Sequence, residues 1–186
     1  MNWDDFARLA SGPVTVTVRG LVHGVEPPTA EAVQFAPPDF WWVEDGDRHL
    51  RYLANDRGHY RWRPGRASVA CFQPRREGCW QSGGMSSPDL IRPRDLLHPD
   101  GDFTSPLGPV ESVRFLDRPA WQVLLAPPPH KSAPIRQVVD AASGITLAYR
   151  SADRTDLLAF SAVTTGLDLP PGTFDGPADP SAPFIG

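Results

Sequence analysis

Val14, Val16 and Val18 alternate with Thr15, Thr17 and Arg19, the two-residue period of a strand with one face against a core. Just before them Trp3, Phe6 and Leu9 recur every third residue behind Asp4 and Asp5. This spacing predicts a short helix over 2–10, with its acids at the positive end of the helix dipole and Gly12 and Pro13 as its stop. Strand composition returns over 31–36, 40–44, 50–54, 59–63 and 68–72. The intervening PPD, EDGD, NDRG and RPGR supply the residues that turns require. Strands recurring about every ten residues with short turns predict an antiparallel meander, because parallel neighbours need long crossovers.

From 78 to 108 the alternation gives way to an irregular insertion, a connection or lid rich in glycine, serine and proline. It holds one helical candidate, 89–97, in which Leu90, Leu96 and Leu97 are opposed by Pro93. Alternation resumes over 110–117, 120–126, 135–140, 145–151 and 157–165, a second meander. Residues 166–186 hold five prolines and four glycines without a strand pattern, so a Pro/Gly-rich tail is expected, with Phe174 as its anchor.

Composition sharpens this picture. The chain has 186 residues, the size of one domain (1–186), and its 22 prolines leave little room for long helices, so a mainly β protein is expected. No apolar run approaches a membrane span. MNWDDFARLASG carries acids where a secretory signal carries positive charge, which predicts a cytoplasmic protein, or an envelope protein if the natural start lies upstream. Cys71 and Cys79 are too few for an all-cysteine zinc site and are expected as free thiols. No metal or other cofactor is predicted.

The net charge of −4 is unevenly spread: residues 48–76 hold eight arginines against Asp56. Arg48, Arg51, Arg57, Arg61, Arg63 and Arg66 therefore offer a surface for an anionic partner other than nucleic acid. The plainer explanation is a solvated strand face in a chain with 17 arginines and one lysine.

Catalytic signatures (GxSxG, HExxH, GxGxxG after a strand, a P-loop) are absent. The aromatic inventory is more informative. Phe35, Trp41, Trp62, Phe72, Phe115, Trp121, Val123, Tyr149 and Phe160 fall on apolar positions of different strands, and a curved sheet would bring them to one interior as a core or a ligand-binding face. Trp41 is assigned inward because it is in phase with Val43, whereas Trp42 is in phase with Phe40 and Glu44. Three functions remain open: a non-catalytic binder of a hydrophobic molecule or acyl chain, a small-molecule enzyme of cyclase or isomerase type, and an interaction protein using 48–76. The enzyme would need Glu44, His49, His59 or Asp140 inside the apolar face.

The run ESVRFLDRPAWQVLLAPPPHKSAPIRQVVDAASGITLAYRSAD resembles the closing strands of the LolA-like lipoprotein-carrier superfamily, in its DRPA pair, strand, loop and VVDxxxGIxL hairpin. PPDFWWVEDGD is similar to the aromatic, charged strand of the same proteins, with Trp42 where an arginine is common, and LDLPPGTFDGP resembles their ending. The resemblance implies a highly curved antiparallel sheet, an incomplete β-barrel with one or two short covering helices, around an apolar cavity that accommodates acyl chains. Relatives include envelope lipid carriers and sensor domains of sigma-E regulators. The chain departs from them in lacking an export signal and a lipobox cysteine near its start.

Overall fold

Neighbouring strands joined by short turns have no choice but to lie antiparallel, and the chain is built almost wholly on that rule. The computed structural model describes residues 1–25, 28–61, 87–91, 105–127 and 133–176. Helix α1 (Trp3–Ser11) leads into β1 (Val18–Val25), β2 (Pro28–Ala36), β3 (Phe40–Asp45), β4 (Leu50–Asn55) and β5 (Gly58–Arg61). Helix α2 (Ser87–Ile91) precedes β6 (Glu111–Phe115), β7 (Arg118–Leu125), β8 (Ile135–Asp140), β9 (Thr146–Ser151) and β10 (Asp156–Thr165). Among the described residues these strands form one sheet in the order β5-β4-β3-β2-β1-β10-β9-β8-β7-β6. It is two five-stranded meanders joined where β1 pairs with β10, a curved sheet that does not close into a barrel.

Four bulges interrupt the ladders, at Arg51, Leu147, Leu157 and Ser161, where one extra residue is inserted against the partner strand. Each adds local twist and bends its strand, and each reverses the inward–outward phase beyond it.

The first strand differs from the expectation. It begins at Val18, and Val14 to Thr17 connect α1 to it, while β1 continues through Gly20 and Gly24, which carry no side chain to mark the alternation. Gly20 is required by packing. A Cβ there would lie 2.5 Å from Phe160 Cε1 and 2.8 Å from the Ala162 carbonyl oxygen.

Helix α1 is capped by Asn2, whose Oδ1 accepts the Asp5 amide at 2.8 Å, and buries Phe6 and Ala10. Its end rests on the β8–β9 turn, where Gly144 (φ +75°) leaves no room for a Cβ, 2.6 Å from the Leu9 carbonyl oxygen. Helix α2 begins two residues before the expected 89–97 helix. It packs on β9 and β2, and the Ser87 amide donates to Glu31 Oε2 at 3.3 Å.

On the sheet's other face, Leu50, Leu53 and Tyr60 form a separate apolar cluster with Trp42 and Phe174. The segment after β10 runs to it: the Gly166 amide donates to the Thr17 carbonyl at 2.9 Å, and Thr17 Oγ1 to the Leu167 carbonyl at 2.6 Å. Phe174 packs at 5.7 Å from Phe40 by ring centroids, and Asn55 Nδ2 donates to its carbonyl at 3.0 Å. Phe174 thus anchors the segment, as its isolation among prolines and glycines suggested. Among the described residues, no helix is long and apolar enough to cross a membrane.

Candidate functional site

The face of the sheet on which α2 sits, the inner face, is continuous across both meanders. Register aligns Trp41 with Phe35 and Phe35 with Val18; Val22 with Phe160; Leu158 with Tyr149; and Tyr149 with Gln137 and Val123. Trp41 packs 4.7 Å from Phe35 and 6.5 Å from Tyr52 by ring centroids. Phe35, Trp41, Val123, Tyr149 and Phe160 are all buried in one apolar cluster, and Trp121, one alternate position from Val123, is half-buried against it. Trp41 is inside and Trp42 outside, the latter donating from Nε1 to Glu44 Oε1 at 2.8 Å.

Phe115 is also half-buried against this cluster, but by register it stands on the opposite face. It pairs with Arg118, in phase with Ala120 and Gln122 and out of phase with Trp121, so it belongs to the outer face, where the Arg150 guanidinium lies 4.8 Å over its ring. The apolar positions Val113 and Phe115 mark an alternation but not its side, because only the pairing with β7 sets the face. Trp62 and Phe72 lie outside the described residues, as do Cys71, Cys79, Arg63 and Arg66.

Polar groups are set into the inner face. Gln137 Nε2 donates to Thr146 Oγ1 at 2.9 Å, both residues being fully buried. Among the described residues, three buried side-chain atoms have no hydrogen-bond partner: Gln137 Oε1, Tyr149 OH and Ser87 Oγ. Leaving a buried polar group unpaired costs about 1–3 kcal/mol, so each of these is costly to folding. Burial pushes the Tyr149 phenol far above its ordinary range; the nearby Thr146 hydroxyl pulls the other way and the Asp89 carboxylate pushes up again, so the phenol keeps its proton. In the sequence Gln137 goes unmarked, its one signal being a glutamine in phase with Ile135 and Val139.

Of the ionisable groups considered for catalysis, Glu44, His49 and Asp140 are engaged away from the inner face. Glu44 holds the Trp42 indole on the outer face. His49 lies in the exposed β3–β4 turn, where Asp45 Oδ1 accepts the amides of Asp47 and His49 at 3.0 and 2.9 Å and Asp45 Oδ2 pairs with Arg51 at 2.7 Å. Burial opposes ionisation of Asp45, but the His49 amide and the Arg51 charge outweigh it and hold its carboxyl below the ordinary value. Oxygen and nitrogen atoms of Asp45, Asp47 and His49 come within 4.8 Å of one another, a grouping explained by this turn. His59 is in β5 by its backbone, its side chain lying outside the described atoms.

Asp140 is buried, with both oxygens engaged. Arg118 Nε donates to Oδ2 at 2.6 Å; the amides of Ala142 and Ser143 and the Ser143 hydroxyl donate to Oδ1 at 3.0, 2.7 and 2.9 Å. Burial pushes its carboxyl upward, but the bonds from Arg118 and Ser143 prevail and hold it below its ordinary value. Of the arginines proposed for an anionic partner, Arg48 and Arg57 are exposed and Arg51 is paired with Asp45.

These features define an open, curved antiparallel sheet whose inner face is apolar, roofed in part by a short helix, and interrupted by buried hydrogen-bonding groups. No family model matches the chain, and no curated protein matches it. The fold is similar to that of an uncharacterized conserved protein from Thermus thermophilus, at 10% identity and TM-score 0.58, with 96% of each chain covered. Weaker likenesses are to MucB in complex with MucA(peri), at 14% identity and TM-score 0.46, and to the Pseudomonas aeruginosa MucA/MucB complex, at 14% identity and TM-score 0.43. Each match covers 94% of this chain, which spans 60% and 62% of the matched chains.

Proposed function

We propose that the chain is a non-catalytic binding protein of LolA-like type that holds a hydrophobic or lipid-like molecule against the inner face of its sheet. The observation that carries this reading is the continuity of that face. Apolar side chains from β1, β2, β3, β7, β9 and β10 share it, and it runs from buried Phe35 and Tyr149 out to half-buried Trp121. The closing-strand motifs, which resemble those of carriers of acyl chains, support the LolA-like type of this fold. Apolar ligands gain affinity from apolar surface that they remove from water, at roughly 25 cal/mol per Å².

Native mass spectrometry of protein purified from its own host tests the reading. A co-purified apolar molecule at one per chain is expected, and addition of that molecule should raise the melting temperature by mass action. Ligand-free protein that also takes up no apolar dye would overturn it.

A further inference from the structure

We infer that Gln137 and Tyr149 form a seat for a neutral hydroxyl or primary amide carried by an otherwise apolar molecule. The inference rests on the hydrophobic-ligand reading above and specifies the ligand's polar end. Gln137 and Tyr149 are direct cross-strand partners on the inner face, which places their side chains next to each other. Helix α2, which begins at Ser87, packs on β9, the strand that carries Tyr149. Both side chains are fully buried, and among the described residues Gln137 Oε1 and Tyr149 OH have no hydrogen-bond partner.

The donor and acceptor pattern selects the group. Gln137 is oriented by the bond from its Nε2 to Thr146 Oγ1, so the atom left over is Oε1, which can only accept. The phenol of Tyr149 retains its proton and can donate. A hydroxyl satisfies both, donating to Gln137 and accepting from Tyr149, and a primary amide does the same. A carboxylate has no proton for Gln137 and meets the negative charge of Asp89, whereas an ammonium cannot accept from Tyr149.

The test uses displacement of the neutral dye N-phenyl-1-naphthylamine by dodecan-1-ol and by its methyl ether, 1-methoxydodecane. A plain apolar cavity favours the ether, since the alcohol gives up more hydrogen bonding to water. Here the alcohol is expected to displace dye at about tenfold lower concentration, the effect of one well-made hydrogen bond to Gln137. Gln137→Met should erase that preference. Tyr149→Phe, which removes a hydroxyl that has no hydrogen-bond partner among the described residues and so is compatible with folding, should weaken both compounds while keeping their order. An ether that binds as well as the alcohol, or a preference that survives Gln137→Met, overturns this inference alone and leaves Gln137 and Tyr149 as buried core groups. Failure of the wild-type protein to take up the dye overturns the ligand reading and this inference with it.

Discussion

Arg118 donates from Nε to Oδ2 of Asp140 over 2.6 Å, and from Nη2 to Thr165 Oγ1 over 3.1 Å, so one guanidinium links β7, β8 and β10. These two residues stand in the DRPA and VVD segments on which the likeness to lipoprotein carriers was drawn. Their shared role is structural: Asp140 Oδ1 closes the turn 140–144 while Oδ2 takes the arginine, and the Asp140 amide donates to the Ile145 carbonyl at 2.9 Å. The motif is a joint at one end of the sheet. Its recurrence in a sequence therefore speaks to fold and leaves the ligand open.

Asp140 should govern part of the acid stability. Its folded-state pKa lies below the unfolded value of about 3.9, so its contribution is complete above that value and is lost as pH falls through the folded pKa. Asp140→Asn is expected to cost about 3 kcal/mol at pH 7, where Arg118 loses its partner, and less at pH 2–3. Urea denaturation of both proteins across pH 2–7 measures this; parallel stability curves would contradict the assignment.

Gly20 and Phe160 should behave as a coupled pair. Gly20→Ala puts a methyl into the ring of Phe160 and is expected to destabilise by about 2 kcal/mol or more. In Phe160→Ala the ring is gone and part of that cost disappears, although the Ala162 carbonyl still crowds the site. A double-mutant cycle on melting curves should give a coupling of at least about 0.5 kcal/mol, and additive effects would show that the contact is relaxed elsewhere.

Phe174→Ala should loosen the strap on the outer face. Loss of this partly buried ring is expected to cost about 2 kcal/mol and to expose Trp42 and Leu53. A red-shifted tryptophan emission, with the inner-face Trp41 still buried, is the signature to look for. Unchanged emission and stability would mean that the outer cluster holds without its anchor.

Trp121 is the aromatic residue at which packing and binding can be separated, because it is only half-buried. Trp121→Ala should keep the fold, with a melting temperature within a few degrees of wild type for a loss of about 1 kcal/mol, and should weaken uptake of N-phenyl-1-naphthylamine severalfold. Loss of stability with full dye affinity would assign Trp121 to the core alone.

Much of this architecture was legible along the chain. A strand's side chains alternate with period two, so Ile135, Val139 and their neighbours announce β8 without any tertiary information, and Trp41 could be placed inside by its phase with Val43. Turn residues between strands likewise implied antiparallel neighbours. The sheet alone decided what depends on two strands at once. Phe115 was read as inward, but a five-residue strand acquires a face only through its partner, and pairing with Arg118 turns it outward. Bulges at Leu147, Leu157 and Ser161 shift the phase within strands whose letters look regular. The joining of the meanders through β1 and β10, the meeting of Arg118 with Asp140, and the placing of Gln137 beside Tyr149 are contacts between residues distant or unmarked in sequence. Hydrogen bonding between backbones and the exclusion of water bring them together, and neither is written in the local alternation of side chains.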